Sequence, residues 1–201
     1  IHWYKDKLFG IAIAAWDGER VHSGYWDIRT NPRIVPLLRD KAPKIRLCCN
    51  HNIKFDANFL ENEGVIVPFN AIECTSVRAA LLNEHEHSFS LDALAQKYLN
   101  AKKVDIYEEL PKMFGGKPTR EAQMPNLHRA PESLAGKYAI VDPVLAIKLW
   151  QHQEKDIAEQ GLRQVVDLES KITSILWKLE RRGVRVDEQR AHQIGERRVG
   201  E

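Results

Sequence analysis

Two pairs of polar residues stand four positions apart among apolar neighbours: Asn52 with Asp56, and Tyr138 with Asp142. Four positions is just over one helical turn, so each pair, if helical, presents both side chains on one face. An amide beside a carboxylate suits a polar ligand or a metal. A phenol beside a carboxylate suits joint action on one water or one ion. Both pairs also have a plainer reading. Asn52 can cap a helix, with Asp56 as a solvated acid of its first turn. Asp142-Pro143 can be an N-cap followed by proline at the first helical position, which would make Asp142 structural. A helix running through Pro143 would instead lose the bond to Ala139 and kink. On the residues alone the readings stand side by side.

The elements that would carry these pairs are legible around them. Ile45-Arg46-Leu47-Cys48-Cys49, opened by Pro43, has the length and composition of a buried strand, and Phe55, Phe59 and Leu60 then recur at helical spacing up to Glu63-Gly64. Upstream, residues 8–16 and 21–28 read as two strands joined by a hairpin turn at Asp17-Gly18. A short helix is expected between Pro32 and Pro43. Downstream, Val65-Ile66-Val67 and Ala71-Ile72 suggest a strand passage leading to a helix over 76–83, and Ser90 caps an amphipathic helix over 91–99. Residues 101–135 hold no sustained period and carry Pro111, Gly115-Gly116, Pro118, Pro125 and Pro131. Such segments are usually functional or mobile. Lys102, Lys103, Lys112, Lys117 and Arg120 there could touch a phosphate backbone, or simply be a solvated surface. From 147 to 181 the pattern is one or two long helices, with Leu162, Val165, Val166, Leu168, Ile172, Ile175, Leu176 and Leu179 as the expected buried stripe.

Taken in order, these stretches resemble the 3′-5′ exonuclease (proofreading) domain of family A DNA polymerases, an RNase H-like fold with four acidic ligands and a tyrosine. Asn52-x-x-x-Asp56 after a strand matches the family's second motif, and Tyr138-x-x-x-Asp142 its third. Ser90-Leu91-x-x-Leu94-Ala95-x-x-Tyr98-Leu99 matches a family helix, and Gly183-Val184-x-Val186-Asp187 stands where such a domain gives way to the polymerase. The resemblance implies an α/β fold, an RNase H-like mixed sheet flanked by helices with a C-terminal helical extension. Residues 1–150 would form the nuclease and 151–201 the connection towards a polymerase domain in cis. It implies two Mg²⁺ or Mn²⁺ ions held in part by Asp142 and Asp56, with Tyr138 orienting the attacking water and Asn52 holding the terminal nucleotides. The substrate would be a single-stranded or frayed 3′ end of DNA, in the cytoplasm of a bacterial or phage-infected cell, near the nucleoid. Glu73-Cys74-Thr75 stands where the family usually writes Asp-Thr, and Glu73 is not counted as catalytic.

One departure shapes the remaining expectations. The family's first motif, Asp-x-Glu on a central strand, is not found in residues 1–16. Its strand is expected ahead of Ile1, between the strands at 8–16 and 45–49, so the 201 residues alone should leave a slot there or rearrange around it, melt easily and cleave DNA negligibly. A nucleic-acid-binding scaffold without the chemistry, and a stand-alone exonuclease on RNA or DNA, remain as alternatives.

Composition limits the field less sharply. With 30 basic and 28 acidic residues the net charge is +2, so a nucleic acid would have to be held by a local basic surface. No apolar run approaches the ~20 residues of a membrane span, and no membrane partner is expected. The three cysteines cannot form a disulfide framework, and with the histidines they lack zinc-finger spacing.

Overall fold

In the computed structural model, which describes residues 2–102 and 106–199, the chain opens with the hairpin. Strands β1 (Gly10–Trp16) and β2 (Val21–Asp27) pair antiparallel, from Gly10 opposite Asp27 to Trp16 opposite Val21. Asp17 makes the turn by accepting the amides of Glu19 and Arg20 at 2.9 and 2.8 Å, while Gly18 takes a φ of 108° that a side chain would resist. After α1 (Ile34–Lys41) comes a second, parallel pair, β3 (Cys48–Asn50) with β4 (Ile72–Cys74), joined through α2 (Ile53–Asn62). Strand β3 is shorter than the apolar run 45–49 suggested. Its ladder begins only where Ile72 meets Cys48, and Ile45 and Leu47, which have no strand beside them, are exposed. Val65 to Val67 likewise form no strand, although Val65 and Val67 are buried in two separate cores.

Among the described residues β1 and β3 share no ladder. The two half-sheets flank a cavity of about 950 Å³, lined by Gly10 to Ala14 of β1 and Cys48 to Asn50 of β3, by Phe59, Leu60 and Val65, and by Met124, Leu127 and Pro143. Two strand edges with apolar walls on either side make a slot of the kind a further extended segment would fill.

Helix α3 (Thr75–Leu82) follows β4, and Ser90 caps α4 (Leu91–Leu99) by accepting the Ala93 amide at 3.3 Å, as its sequence requires. Residues 106–129 are not one loop but a chain of short turns with α5 (Leu110–Phe114) and α6 (Arg120–Gln123). Buried Gln123 ties them by donating to the carbonyls of Gly115 and Lys117 at 2.8 and 3.0 Å. Of the basic residues noted there, Lys103 lies outside the described residues. Then come α7 (Glu132–Ala139), α8 (Val141–Glu159), α9 (Arg163–Arg182) and α10 (Glu188–Val199). Helix α8 packs across β1, β2 and β3, bridging the half-sheets. Ile72 and Cys74 of β4 face the core shared with Ile53, Ala57 and Trp177 of α2 and α9. Strand alternation sends Glu73 to the other face, towards α8.

On that face sits a network of four charges. Glu73 accepts from Arg78, from the Trp150 indole at 2.7 Å and from Arg163 at 3.1 Å; Glu154 accepts from Arg78 at 2.6 Å and also from Arg163. Arg78 is 1% exposed, so its charge depends on these partners. The position aligned with the family's Asp-Thr thus joins β4, α3, α8 and α9.

Helix α9 departs from expectation. Of the stripe read from its sequence only Val166 is fully buried, and the face turned inward carries Thr173, Ser174 and Trp177. The reason is polar. Ser174 donates to the Phe69 carbonyl at 2.8 Å and Trp177 to the Asn58 side chain at 3.2 Å, anchors that a periodicity of apolar residues does not reveal. Removing Glu73 should be costly, because Arg78 would keep its burial and lose a partner. Glu73→Ala is expected to lower stability by about 3 kcal/mol, read as a drop in the urea midpoint of unfolding, whereas Asp40→Ala, which breaks only exposed pairs with Lys41 and Lys44, should leave the midpoint almost unmoved.

Candidate active site

The polar residues around the slot are set by the ends of β3, α2, α7 and α8. Strand β3 ends at Asn50, and His51 is fixed by Thr75 Oγ1 at 2.9 Å and the Phe89 carbonyl at 2.8 Å. Asn52 then turns the chain with left-handed φ of 55° and ψ of 47°, a conformation asparagine tolerates better than most residues. Asn52 therefore lies outside the helix, and the expectation that it shares a helix face with Asp56 is corrected. The capping alternative fails as well, since its side chain makes no cap hydrogen bond; it is exposed.

Asp56 sits in the first turn of α2 and lines the cavity. Its Oδ2 accepts the Asn50 amide at 2.8 Å, a contact between strand end and helix that the four-residue spacing did not signal. Burial pushes the Asp56 carboxyl up to about 7; a backbone hydrogen bond opposes the rise, and the negative charge of Asp142 adds to it. The structure thus brings Asp56 and Asp142 within electrostatic reach although 86 positions separate them in sequence.

Asp142 belongs to the first turn of α8. Helix α7 ends at Ala139, Ile140 forms the joint with φ of −69° and ψ of −16°, and α8 begins at Val141. Pro143 thus breaks the path into two abutting helices and does not start a new one behind an Asp142 cap. Tyr138 is half-buried on α7, its ring edge-on to Tyr107 with centroids 6.3 Å apart. Burial raises its hydroxyl pKa, the charges of Tyr107 and Asp142 raise it further, and Arg120 on the cavity wall opposes them. The phenol is therefore a proton donor at every physiological pH.

Asp56 and Asp142 offer carboxylate oxygens, the donors that hard divalent ions select. They fit such an ion in kind but not in number, for among the described residues no group of three or more His, Cys, Asp or Glu could hold a metal. Two carboxylates forced together also carry a cost. A carboxyl whose pKa rises from 3.8 unfolded to about 7 folded binds its proton more tightly in the native state. Its stabilising contribution is complete below pH 4 and is lost as pH rises through 7. Asp56→Asn should thus be more stable than the parent at pH 8, by on the order of 2 kcal/mol, with the difference vanishing towards pH 4 in urea unfolding curves. Asp142→Asn should lower the Asp56 midpoint seen by carboxyl-carbon NMR.

Known proteins resemble the chain over most of its length. The sequence model of a family described as 3′-5′ exonuclease matches residues 22–158. A DNA polymerase DpoZ of Salmonella phage PMBT28 is 50% identical over 203 residues, covering all of this chain and 31% of the relative. One of the same name from Acinetobacter phage SH-Ab 15497 is 41% identical over 98% of the chain and 31% of its own length. A DNA-directed DNA polymerase of Pseudomonas phage M6 is 31% identical over 68% of the chain and 20% of its own length. The chain thus spans about a third of the first two relatives. It belongs to the 3′-5′ exonuclease family of the family A DNA polymerases, with the mixed α/β architecture of the RNase H-like exonucleases.

Proposed function

We propose that this chain is the exonuclease unit of a phage-type DNA polymerase, removing nucleotides from single-stranded or frayed 3′ ends of DNA as a proofreader. The observation that carries the reading is the Asp56 carboxyl, buried at the wall of an open slot with the negative charge of Asp142 within reach, a setting that a bound cation would relieve. The slot would take an extended segment bearing Asp-x-Glu between β1 and β3, supplying the carboxylates that the described residues lack. With those in place, Asp142 and Asp56 would help hold two Mg²⁺ or Mn²⁺ ions. Such ions, when bound, activate water and stabilise the leaving oxygen of a phosphodiester.

The chain's own side chains have separable tasks. Asn50 fixes one Asp56 oxygen. Tyr138, held protonated, donates a hydrogen bond that orients the attacking water. Asn52, exposed on its left-handed turn, contacts the terminal nucleotide. Arg120, on the cavity wall, and Lys112 and Lys117 beside it in the chain would hold the phosphate backbone. The nuclease would occupy residues 1–150 and the connection residues 151–201; helix α8 runs on to Glu159, and the family match ends at 158. Cytoplasm and nucleoid of an infected cell are where such an activity would work. No helix among the described residues is long and apolar enough to cross a membrane.

The test supplies such a segment. The chain alone, and the chain with an apolar strand bearing Asp-x-Glu joined ahead of Ile1, are given a 5′-labelled single-stranded oligonucleotide with Mn²⁺. The joined form should shorten the oligonucleotide stepwise from its 3′ end, and the chain alone should not. In the joined form Asp142→Ala should lower the cleavage rate by on the order of a hundredfold or more while leaving binding within a few-fold. Binding without cleavage in every form would favour the scaffold reading, and faster cleavage of an RNA oligonucleotide would favour the stand-alone RNA exonuclease.

A further inference from the structure

Helix α9 carries its apolar residues on the outside. Val165, Leu168, Ile175, Leu176 and Leu179 are between 41% and 56% exposed and, with half-buried Ile172 between Leu168 and Ile175, lie along one side of a 20-residue helix. Single exposed leucines need no explanation, but a continuous ridge of this length marks a contact surface. The opposite side of α9 is already committed to the body through Trp177, Ser174 and Arg181, which donates to the Asn58 carbonyl at 3.0 Å. The helix has one face fixed to the exonuclease and one face with nothing on it among the described residues.

Two observations say what covers that ridge. The exonuclease family match stops at residue 158, before α9 begins at Arg163, whereas the Salmonella and Acinetobacter phage polymerases match through it, over 100% and 98% of the chain. Helix α9 is therefore shared with polymerases outside the segment that the exonuclease family defines. Those relatives devote only 31% of their length to the matched region, which leaves most of each polypeptide to supply a partner. Size points the same way. A seam between two helices of this length is about 30 Å long and about 10 Å wide, on the order of 600 Å² over both faces, less than the roughly 1,200 Å² of total surface that stable complexes bury. Two free copies would hold it weakly, whereas a segment of the same polypeptide meets it at an effective concentration in the millimolar range.

We propose that the outer ridge of α9 is the docking surface for the polymerase portion of the polypeptide, which covers it with an amphipathic helix laid along Val165, Leu168, Ile175 and Leu179. The proposal rests on the reading of this chain as part of a polymerase. Helix α9 then acts as a shared beam: the proofreading body grips one side through Trp177 and the polymerase grips the other.

The test places this chain in the Salmonella phage polymerase in exchange for its matched third and reads thiol accessibility, which does not depend on nuclease activity. Leu168→Cys and Ile175→Cys are made singly, with Leu37→Cys on the exposed side of α1 as an open reference within the same fold. Labelled sites are identified by mass spectrometry, which separates them from Cys48, Cys49 and Cys74. In the native polypeptide the two α9 thiols should react about tenfold or more slowly than the reference, and all three should react alike in urea. Equal rates in the native state overturn the proposal. Protection that disappears on dilution overturns it in favour of a second copy of the chain. Normal protection with no nuclease activity would leave this docking intact and remove the functional reading above instead.

Discussion

The buried guanidinium of Arg78 holds this architecture together. Among the described residues the strands form two separate pairs with no backbone ladder between them, so helices must keep the half-sheets in register. Helix α8 lies across both, and it is fastened to the β4 side where Glu73 and Glu154 close around Arg78, with Trp150 and Arg163 completing the set. A charge so deeply buried tolerates few geometries, because each displaced partner leaves it short of compensation. That intolerance fixes the height of α8 over the slot, and with it the position of Asp142 opposite Asp56.

The candidate site inherits its tension from the same placement. Two carboxylates sit in the first turns of α2 and α8, positions where a helix favours negative charge. Burial and mutual repulsion nonetheless outweigh that favour at Asp56. The fold holds Asp56 buried near a second acid at a cost in stability, a perturbation of the kind that clusters at functional sites.

Local chemistry is what the sequence showed clearly. Asp17-Gly18 makes its hairpin, Ser90 caps its helix, and Glu63-Gly64 ends α2, with Gly64 at a φ of 70°. Each outcome is decided by residues within a few positions of one another. Contacts between distant elements were not legible. Nothing near Asp56 announced that Asn50 would bind it across the strand end, and nothing in Glu73-Cys74-Thr75 announced that Arg78, Trp150 and Arg163 would close around Glu73. The reading of α9 failed for a related reason. Periodicity located its apolar side correctly, but it could not say whether that side faced this chain's own core, and Trp177 with its Asn58 anchor took the inner position.

Tyr25 shows how spacing is set near the other motif. Its hydroxyl is buried without a hydrogen bond among the described residues, and burial pushes its pKa up to about 12. The ring lies diagonally across β1, where a Cβ on Gly10 would come within 2.1 Å of the hydroxyl, and against α7, where a Cβ on Gly136 would come within 3.0 Å of the ring. One aromatic ring therefore acts as a gauge block between strand and helix. Gly136 and Tyr138 are two residues apart on α7, so a change in thickness at position 25 would be transmitted as a shift of the catalytic candidate and not absorbed as a void, and drift at a residue that touches no substrate would be read out as misalignment.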